Sequence, residues 1–513
     1  MKVCAQKTLS LRTSAHTGVA IPRIEGKCTE KYPKTGVAAI YGGNRYLVPF
    51  NRGIATPVCA LARNDSINLA NTNFPFTRQN TISPKPYIKE ESPMRFGIRT
   101  LDEAILRGKT VLCRVDINQP VDRETGTLKS INRIAACVPT IRELSDKGAK
   151  VVLLAHQGSD IEYKNFYTTK PHAAVLERLL EREVQWIDDV CGPAAREKIK
   201  ALKDGEILLL DNVRFVSEEQ TLFEKKLRLT HEQQAKTLLV EKLAPLADLY
   251  VCDAFAAAHR DQPSLCGFEQ VLPSYMGRLF EKEYCTVSQV MEAPERPCVF
   301  VLGGAKIADA FEMMNTVLER GVADRVLTGG LVSNIFLASQ GKPVGQGSLD
   351  FIARSNYSEY IEKAAALYAR FGSKIQLPED LAWVEDGARR EAALSQLPGD
   401  ITALDIGSAT ADAYARVIQD AKTVFVNGPM GVFEKAETEL GTKTVWQALA
   451  GTPGFTVLGG GDSITATEKY DLTEKMGYIC TGGGALIRFL SGEELPVVKA
   501  LRHGANIPES KVR

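Results

Sequence analysis

The stretch Val111-Leu-Cys-Arg-Val-Asp-Ile is apolar at five of its seven positions and is followed by a polar tip at Asn118. Short apolar runs of this kind recur along the chain, at residues 111–117, 151–155, 207–210, 249–251, 298–302, 325–327, 423–426 and 455–458. The segments between them, for example residues 172–183 and 359–370, space their apolar residues by three and four, as amphipathic helices do. Strands that are apolar on both faces and alternate with such helices indicate parallel sheets with helices on both sides. The pattern therefore predicts an α/β fold.

The length of the chain predicts more than one such sheet. Regular alternation begins at Met94 and continues for about 420 residues, whereas a domain commonly has roughly 100 to 200 residues. The stretch Glu292-Ala-Pro-Glu-Arg-Pro interrupts the pattern just before the run at residue 298, and such a break favours a domain boundary. We predict two doubly wound, Rossmann-like parallel-sheet domains joined by a hinge, an N-terminal one over residues 94–290 and a C-terminal one over residues 291–490.

Composition and charge exclude several classes of protein. Apolar residues make up 44% of the 513 residues and charged residues 24%, which is typical of globular proteins and unlike collagen or disordered chains. No stretch approaches the roughly 18 consecutive apolar residues of a membrane span, so we expect no membrane partner. The formal net charge is +1, so we expect no nucleic-acid partner. The 11 cysteines include no C-x-x-C pair, which favours reduced thiols and a cytoplasmic location over a disulfide framework or a structural zinc site.

Residues 1–93 differ from the rest of the chain. They contain 13 Lys and Arg against 5 Asp and Glu, are interrupted by Pro and Gly, and show no sustained periodicity. Three interpretations stay open: a basic, ill-ordered tail, an organelle transit peptide, or sequence upstream of a true start at Met94. The segment lacks the apolar centre of a secretory signal.

Polar and cationic residues follow the apolar runs of the first half. Ligands bind beyond the carboxyl ends of the strands in open parallel sheets, so these residues are candidates for a binding site. An arginine guanidinium can hold two oxygens of a phosphate or carboxylate, and several together suit a small, multiply charged anion. The candidates are Arg114, Asp116, Asn118, His156, Arg214 and Arg260.

Glycine clusters follow the runs of the second half, together with single acids and one lysine. Glycines that open a helix let backbone N–H groups approach a polyphosphate, which the helix dipole also favours. Asp462 follows such a cluster and is a natural ligand for Mg²⁺, which usually takes one or two carboxylates besides phosphate oxygens. The tips are Gly303-Gly304-Ala-Lys306, Gly329-Gly330, Asp405-Ile-Gly407, Asn427-Gly428-Pro429, Gly459-Gly460-Gly461-Asp462-Ser463 and Gly482-Gly483-Gly484.

An anion-holding half and a nucleotide-holding half together indicate phosphoryl transfer across a cleft. The triplet Gly108-Lys109-Thr110 is not a Walker loop, because Glu103 stands where the first glycine belongs and the triplet precedes a strand. The sequence has no G-x-G-x-x-G after a strand, no G-x-S-x-G and no H-E-x-x-H. Dinucleotide enzymes, acyl hydrolases of that type and zinc proteases are therefore unsupported.

Seven segments at the predicted strand ends carry recognisable motifs. They are R-V-D-I-N-Q-P from Arg114, L-L-L-D-N-V-R-F from Leu208, D-A-F-A-A-A-H-R from Asp253, G-G-A-K-I-A-D from Gly303, N-G-P-M-G-V-F-E from Asn427, G-G-G-D-S from Gly459 and T-G-G-G-A from Thr481. In this order they resemble the signature segments of the phosphoglycerate kinase family, over about residues 94 to 501. The first and third segments are more similar to archaeal-type members.

The resemblance implies reversible transfer of the acyl phosphate of 1,3-bisphosphoglycerate to MgADP, giving 3-phosphoglycerate and MgATP. It implies that the glycerate substrates are held by Arg114, Asp116, Asn118, Arg133, His156, Arg214 and Arg260, with Arg133 reaching the transferring group. It implies a nucleotide site of Gly303, Gly304, Lys306, Gly329, Asn427, Pro429, Glu434, Gly459, Gly460, Gly461, Asp462 and Ser463, with Glu434 on the ribose and Asp462 on Mg²⁺. The catalytic work falls to Arg133, Lys306 and the amides of Gly482, Gly483 and Gly484, while residues 491–513 pack back onto the first domain.

Two positions depart from the family pattern. Ser159 stands where the family usually has Arg, and Ala310 stands where it usually has a second Lys. Two alternatives therefore stay open, a kinase of another small phosphorylated carboxylic acid and a binding protein that has lost catalysis. Taken singly, the site residues also have structural interpretations, such as a helix N-cap for Asp462 or surface ion pairs for Arg214 and Arg260.

Overall fold

A computed structural model of the chain describes residues 37–41, 44–48, 94–102, 104–122, 124–158, 166–220 and 223–511. The chain divides into two compact units, Met1–Ile82 and Ser83–Arg513. The expectations for most of residues 1–93, and the departure at Ser159, lie outside the described residues.

In the first unit the described residues form one antiparallel hairpin. Its strands are β1 (Val37–Tyr41) and β2 (Asn44–Val48). The sequence analysis did not predict this hairpin, although a Gly-Gly dipeptide between two short runs is a hairpin signal.

The first half of the second unit is built on an eight-stranded sheet. Its strands are β3 (Met94–Arg95), β4 (Ile98–Thr100), β5 (Thr110–Arg114), β6 (Lys150–Leu154), β7 (Val184–Ile187), β8 (Ile207–Leu210), β9 (Leu249–Cys252) and β10 (Ser274–Met276). Their spatial order is β3-β4-β10-β9-β5-β6-β8-β7, and every neighbouring pair is parallel except β3 with β4. From β5 the chain adds β6, β7 and β8 on one side of the sheet. It then crosses to the other side of β5 and adds β9 and β10 there. The switch point, where ligands bind in such sheets, therefore lies between β5 and β9.

Helices connect these strands. They are α1 (Asn132–Asp146), α2 (Lys170–Leu180), α3 (Pro193–Ala201), α4 (His231–Gln234), α5 (Leu238–Leu243), α6 (Pro263–Cys266) and α7 (Arg278–Glu292). Short 3-10 helices occupy Val213–Phe215, Ser217–Glu219, Ala244–Leu246, Phe255–Ala257 and Phe268–Gln270, and a π-helical turn spans Phe223–Leu227. The 3-10 turns at Val213 and Phe255 come directly after strand ends, so they shape the predicted binding edge.

The second half is built on a six-stranded, wholly parallel sheet and a small antiparallel one. The first consists of β11 (Cys298–Leu302), β12 (Arg325–Thr328), β13 (Ile375–Gln376), β17 (Thr423–Asn427), β18 (Phe455–Gly459) and β19 (Tyr478–Ile479), and the second of β14 (Asp380–Glu385), β15 (Ala388–Ala393) and β16 (Asp405–Ile406). The orders are β13-β12-β11-β17-β18-β19 and β15-β14-β16. The antiparallel sheet was not predicted. Its strand β15 is partly exposed and charged, so it carries no continuous apolar signal.

The helices of the second half follow the same alternation. They are α8 (Ile307–Glu319), α9 (Gly330–Ser339), α10 (Gln346–Arg354), α11 (Glu359–Phe371), α12 (Ser408–Asp420), α13 (Leu440–Gly451), α14 (Gly461–Lys469), α15 (Gly483–Leu490) and α16 (Pro496–Gly504). Short 3-10 helices lie at Leu394–Gln396, Ala436–Thr438, Thr473–Lys475 and Glu509–Lys511.

The two parallel sheets confirm the predicted fold class. All eight apolar runs of the sequence analysis lie on strands, and β8 and β11 are buried at every position. A strand with helices on both faces has no solvent side, which is why these runs are not alternating. Cys113, Cys252 and Cys298 lie in the strand interiors, and all eight described cysteines are free thiols.

Helix α7 and the last residues tie the two halves together. Helix α7 leads from β10 toward β11, across the predicted boundary. Helix α16 comes last in the chain but packs on β4 and β10 of the first half. Val497 N–H donates to the carbonyl of Ala258 at 3.3 Å, and the Arg99 guanidinium donates to the carbonyl of Ile507 at 3.1 Å.

Candidate active site

Arg114, at the end of β5, points into the protein. It is fully buried, its Nε donates to Ser264 Oγ at 2.9 Å, and its Nη2 lies 2.9 Å from His156 Nδ1. A third N–H donates to the carbonyl of Val115 at 2.5 Å. From the sequence we expected Arg114 to bind the substrate, whereas in the structure its guanidinium bonds to His156 and Ser264.

Asp116 and Arg133 form an ion pair at the same edge of the sheet. Arg133 Nη1 lies 2.5 Å from Asp116 Oδ2, and the other oxygen of Asp116 accepts from the N–H of Asn118 at 3.2 Å. Asp116 is buried, whereas the Arg133 side chain is 40% exposed. The carboxylate therefore orients a guanidinium that still has N–H groups open to the cleft.

Arg214 lies beside the loop after β6. Asn118 Oδ1 accepts from the N–H of Gly158 at 3.0 Å, and the carbonyl of Gly158 accepts from Arg214 Nη1. Arg214 Nη2 is buried and has no hydrogen-bond partner among the described residues. Burial, followed by the charges of Arg260 and Arg114, lowers the pKa of Arg214 to about 10. A buried cation with an unpartnered donor is a favourable place for an anion.

The cations converge on His156. Burial lowers the pKa of His156 well below its usual value, and the charges of Arg214, Arg114, Arg260 and Arg133 add to this shift. His156 therefore stays neutral at physiological pH. Arginines from separate segments of the sequence therefore lie around one buried histidine.

In the second half, the glycine loops at Gly303 and Gly428 pack against each other. A side chain at Gly303 would bring a Cβ within 2.1 Å of the carbonyl oxygen of Pro429. Gly428 has φ +93°, and a Cβ there would lie 2.2 Å from the carbonyl oxygen of Gly303. Ser463 is buried and its Oγ accepts from the N–H of Gly428 at 2.8 Å. The absence of side chains at Gly303 and Gly428 lets the two loops approach each other closely. The hydrogen bond from Gly428 to Ser463 holds the second loop in place.

Other glycines face open space. At Gly461, in the first turn of α14, and at Gly483, in the first turn of α15, an added Cβ would meet nothing within 4 Å. Lys306 Nζ lies 4.0 Å from Asp462 Oδ2, and both side chains are more than half exposed. An exposed pair at this distance is weak, so both charges are available to a ligand. Glu434 is exposed and lies near Tyr470. Burial raises the pKa of Tyr470, and the charges of two other acids and then of Glu434 raise it further.

The segment Thr481–Gly484 comes directly against the first half. A Cβ at Gly482 would lie 2.7 Å from the ring of Phe255, and one at Gly484 would lie 3.2 Å from the imidazole of His259. A small cavity lies at this junction, and it is lined by Asp116, Arg133, Ala136, Phe255, Ala256, Leu279 and Thr481. The structure thus brings the exposed Arg133 and Thr481, two residues before α15, to one space.

Three residues beside the candidate site were given no role from the sequence, although one of them, His259, stands in a strand-end segment. Glu283 of α7 accepts from the backbone N–H and the hydroxyl of Thr481, each at 2.8 Å. Glu219 is fully buried and accepts from Ser264 Oγ at 2.9 Å, so it stands behind Arg114. His259 lies against Gly484, and burial with Arg260 and Arg488 lowers its pKa to about 4. An acid on the buried side of a predicted helix is the one signal that could have found Glu283.

One half of this unit carries several guanidinium groups close together. The other half carries glycines with free space at the starts of helices and an exposed lysine. Together they define an α/β phosphotransferase. The family model described as Phosphoglycerate kinase matches residues 101–493, which is more than half of the chain. The chain belongs to the phosphoglycerate kinase family.

Individual relatives agree with this assignment. The phosphoglycerate kinase of Methanothermobacter thermautotrophicus is 46% identical over 409 residues, which cover 80% of this chain and 98% of that protein. The phosphoglycerate kinase of Methanococcus maripaludis is 47% identical over 405 residues, 78% of this chain and 97% of that one. The crystal structure of phosphoglycerate kinase from Pyrococcus horikoshii is similar with a TM-score of 0.71 at 41% identity, and covers 79% of this chain and 98% of that one. These archaeal relatives confirm the resemblance to archaeal-type members.

The enzyme is therefore a phosphotransferase with a carboxyl group as acceptor. Its reaction is the reversible transfer of the acyl phosphate of 1,3-bisphosphoglycerate to ADP, a step of glycolysis. In the described part of the chain, every helix is too short or too polar to cross a membrane.

Proposed function

We propose that phosphoryl transfer takes place in the cavity between Arg133 and Thr481. The lining of the cavity supports this most directly, because it joins residues of the cation-rich half to the glycine-rich segment. An in-line transfer needs acceptor and donor on opposite sides of one space. In this arrangement residues 94–290 bind the phosphoglycerate, residues 291–490 bind the nucleotide, and residues 491–513 brace the first of these domains.

Arg133, Arg214 and Arg260 hold 3-phosphoglycerate and 1,3-bisphosphoglycerate. Arg133 is 40% exposed and Arg214 has an unpartnered Nη2, so both have N–H groups left for phosphate or carboxylate oxygens. Arg260 is 23% exposed and lies 3.4 Å from Glu224, a pair that is loose enough to be exchanged for a substrate anion. Three guanidinium groups match the charge of a substrate with a phosphate and a carboxylate.

The other residues of this half act in support. Asn118 and His156 are polar neighbours of the guanidinium groups and contribute hydrogen bonds to the glycerate. Asp116 orients Arg133, and Arg114 holds His156 from behind. Arg114 and Asp116 therefore act on the substrate through their neighbours.

The nucleotide binds to the open glycines and the exposed charges of the second half. Lys306 faces its phosphates, Gly461 leaves room for their approach, and Glu434 takes the ribose hydroxyls. Asp462 fits Mg²⁺, because its carboxylate is 59% exposed and an exposed oxygen ligand suits this ion. Mg²⁺, when bound with ATP or ADP, neutralises part of the phosphate charge.

The chemistry needs no general base in this site. The carboxylate of 3-phosphoglycerate has an unperturbed pKa near 4, so it is ionised at pH 7 and attacks the phosphorus of the terminal phosphate directly. Arg133 and Lys306 stabilise the charge on the transferring group, and the N–H groups at the start of α15 add to this as at other helix N-termini. Contact between Gly484 and His259 closes the space and keeps water from the phosphoryl group.

The enzyme works in the cytoplasm on small molecules, with no nucleic acid or membrane as partner. The eight free thiols of the described residues suit a reducing compartment. The net charge of +1 gives no attraction to nucleic acid.

Titration calorimetry with the two ligands tests this division of roles. Arg214→Lys should weaken binding of 3-phosphoglycerate at least tenfold, since one guanidinium fork is lost, and leave MgADP unchanged. Asp462→Ala should weaken MgADP and leave 3-phosphoglycerate unchanged, and Glu468→Ala, an exposed acid of the same helix, is its control. The assignment is contradicted if both variants weaken the same ligand or neither changes anything.

A further inference from the structure

Three metal-ligating side chains meet on a part of the first half that the reaction does not use. His231 is the first residue of α4, Asp261 lies in the loop before α6, and Cys266 is the last residue of α6. Their ligand atoms all lie within 4.8 Å of one another. We propose that His231, Asp261 and Cys266 form a binding site for a divalent transition-metal ion of the Zn²⁺ type.

The separation of His231 and Asp261 suits such an ion. Zn²⁺ binds nitrogen and oxygen at about 2.0–2.2 Å and sulfur at about 2.3 Å, so tetrahedral neighbours lie roughly 3.3–3.6 Å apart. His231 Nε2 lies 3.3 Å from Asp261 Oδ1, which is the separation of two ligands on one ion. Cys266 completes three protein ligands of three different types. A fourth position remains for water, because the Asp261 side chain is 40% exposed.

The neighbouring Gln234 orients one of the three ligands. It is 1% exposed, and its Nε2 donates to Asp261 Oδ1 at 2.5 Å. The amide oxygen of the same side chain is buried without a hydrogen-bond partner among the described residues. A buried acceptor without a donor is costly, and it lies on the side chain that touches the cluster. The Gln234 amide therefore fixes the position of the Asp261 carboxylate beside His231.

The charges of the cluster balance a divalent ion. A cysteine thiol ordinarily has a pKa of about 8.5, above neutral pH. Without metal the thiol is therefore protonated. On binding, the S–H bond is replaced by a sulfur–metal bond and one proton is released to water. The thiolate and the Asp261 carboxylate then neutralise the two positive charges, with His231 neutral.

The ligand set separates this site from the Mg²⁺ of the nucleotide. Mg²⁺ prefers oxygen ligands, whereas thiolate and imidazole favour Zn²⁺ and similar ions. A metal here also holds the segment that carries Arg260, because Asp261 follows it directly and Cys266 Sγ lies 3.8 Å from its carbonyl oxygen. Metal binding should therefore raise the melting temperature of the protein.

Titration of the full chain, without a histidine tag, with Co²⁺ and then Zn²⁺ tests the proposal. We expect Co²⁺ to give a thiolate charge-transfer absorption in the near ultraviolet, and Zn²⁺ to displace it with one equivalent. Cys266→Ser should abolish this absorption, and His231→Gln should weaken Zn²⁺ binding at least tenfold. Cys191→Ser, which changes another thiol of the same half, should leave the Co²⁺ absorption and the Zn²⁺ affinity unchanged.

Two results would overturn the proposal. One is Co²⁺ binding to the wild-type chain without a thiolate absorption. The other is metal affinity that His231→Gln and Cys266→Ser leave unchanged, which would place any binding elsewhere. His231 lies near the surface of a short helix, so His231→Gln should fold even if Cys266→Ser does not, and circular dichroism checks this.

Discussion

Thr481 and Glu283 are joined by two hydrogen bonds to one oxygen: the backbone N–H and the hydroxyl of Thr481 each donate to Glu283 Oε1 at 2.8 Å. Glu283 belongs to α7, the helix between the two halves, and Thr481 begins the segment that leads into α15. The carboxylate is buried, so these bonds form in a low-dielectric environment where they are strong. The position of the start of α15 therefore depends on a residue of the connecting helix.

Glu283→Gln should slow the reaction without weakening either substrate. An amide oxygen accepts less strongly than a carboxylate, so Thr481 and the α15 start become less well placed. We expect kcat to fall about ten- to hundredfold, because small displacements near the reacting atoms have effects of this size. KM for 3-phosphoglycerate and ATP should change less than threefold. Steady-state kinetics measure this, with Glu292→Gln at the exposed end of α7 as control. A kcat equal to that of the control would contradict the role of Glu283.

Arg133→Ala should reduce kcat at least a hundredfold. The guanidinium is oriented by Asp116 and still exposed toward the cavity, so it is placed to meet charge that develops on the transferring phosphoryl group. One such contact is worth roughly 3–4 kcal/mol in a transition state. Arg178→Ala, an exposed arginine of α2, is the matched control. If Arg133→Ala stays within about threefold of wild type, another group stabilises the transferring phosphoryl.

The pH dependence of stability should change at Glu219. Burial raises the pKa of this carboxyl from 4.5 to about 7, with Arg114 opposing the shift. The folded state therefore binds more protons than the unfolded state in this window, so the contribution is complete below about pH 4.5 and is lost as the pH rises through 7. The slope is at most about 1.4 kcal/mol per pH unit. Glu219→Gln should flatten the free energy of unfolding between pH 5 and 7, measured by urea denaturation. An unchanged slope would show that Glu219 is already ionised in that window.

Ala310→Lys should destabilise the protein. Ala310 is 1% exposed on α8, so a lysine at this position would place an ammonium group in the core. We expect a loss of at least about 2 kcal/mol in the free energy of unfolding. Ala308→Lys, on the exposed side of the same helix, should cost less than about 0.5 kcal/mol. Equal stability of the two variants in thermal denaturation would mean that position 310 can reach solvent.

The sequence predicted the parallel sheets well because their signal is local. Runs such as residues 207–210 and 298–302 are buried on both faces and correspond to β8 and β11 with the same bounds. The position of the polar tips at the strand ends was predicted for the same reason, since they follow the strands directly. Strand β7 and the antiparallel strands were missed, because half-buried and short strands give no continuous apolar run.

The sequence could not predict how residues far apart along the chain pair. Glu283 and Thr481 are 198 positions apart, and no sequence motif contains both of them. Arg114 and Asp116 look alike as strand-end candidates, but Arg114 is the last residue of β5 and bonds to His156, whereas Asp116 lies two residues beyond the strand and pairs with Arg133. Such differences depend on tertiary contacts that periodicity does not contain.

The initial rate of ATP consumption with 3-phosphoglycerate, Mg²⁺ and the whole 513-residue chain tests the assigned reaction. A coupled assay should show turnover in the usual kinase range of about 1–100 per second, and no comparable rate with other phosphorylated carboxylic acids. The account would be contradicted by a rate equal to the enzyme-free blank, or by faster turnover of another acid than of 3-phosphoglycerate.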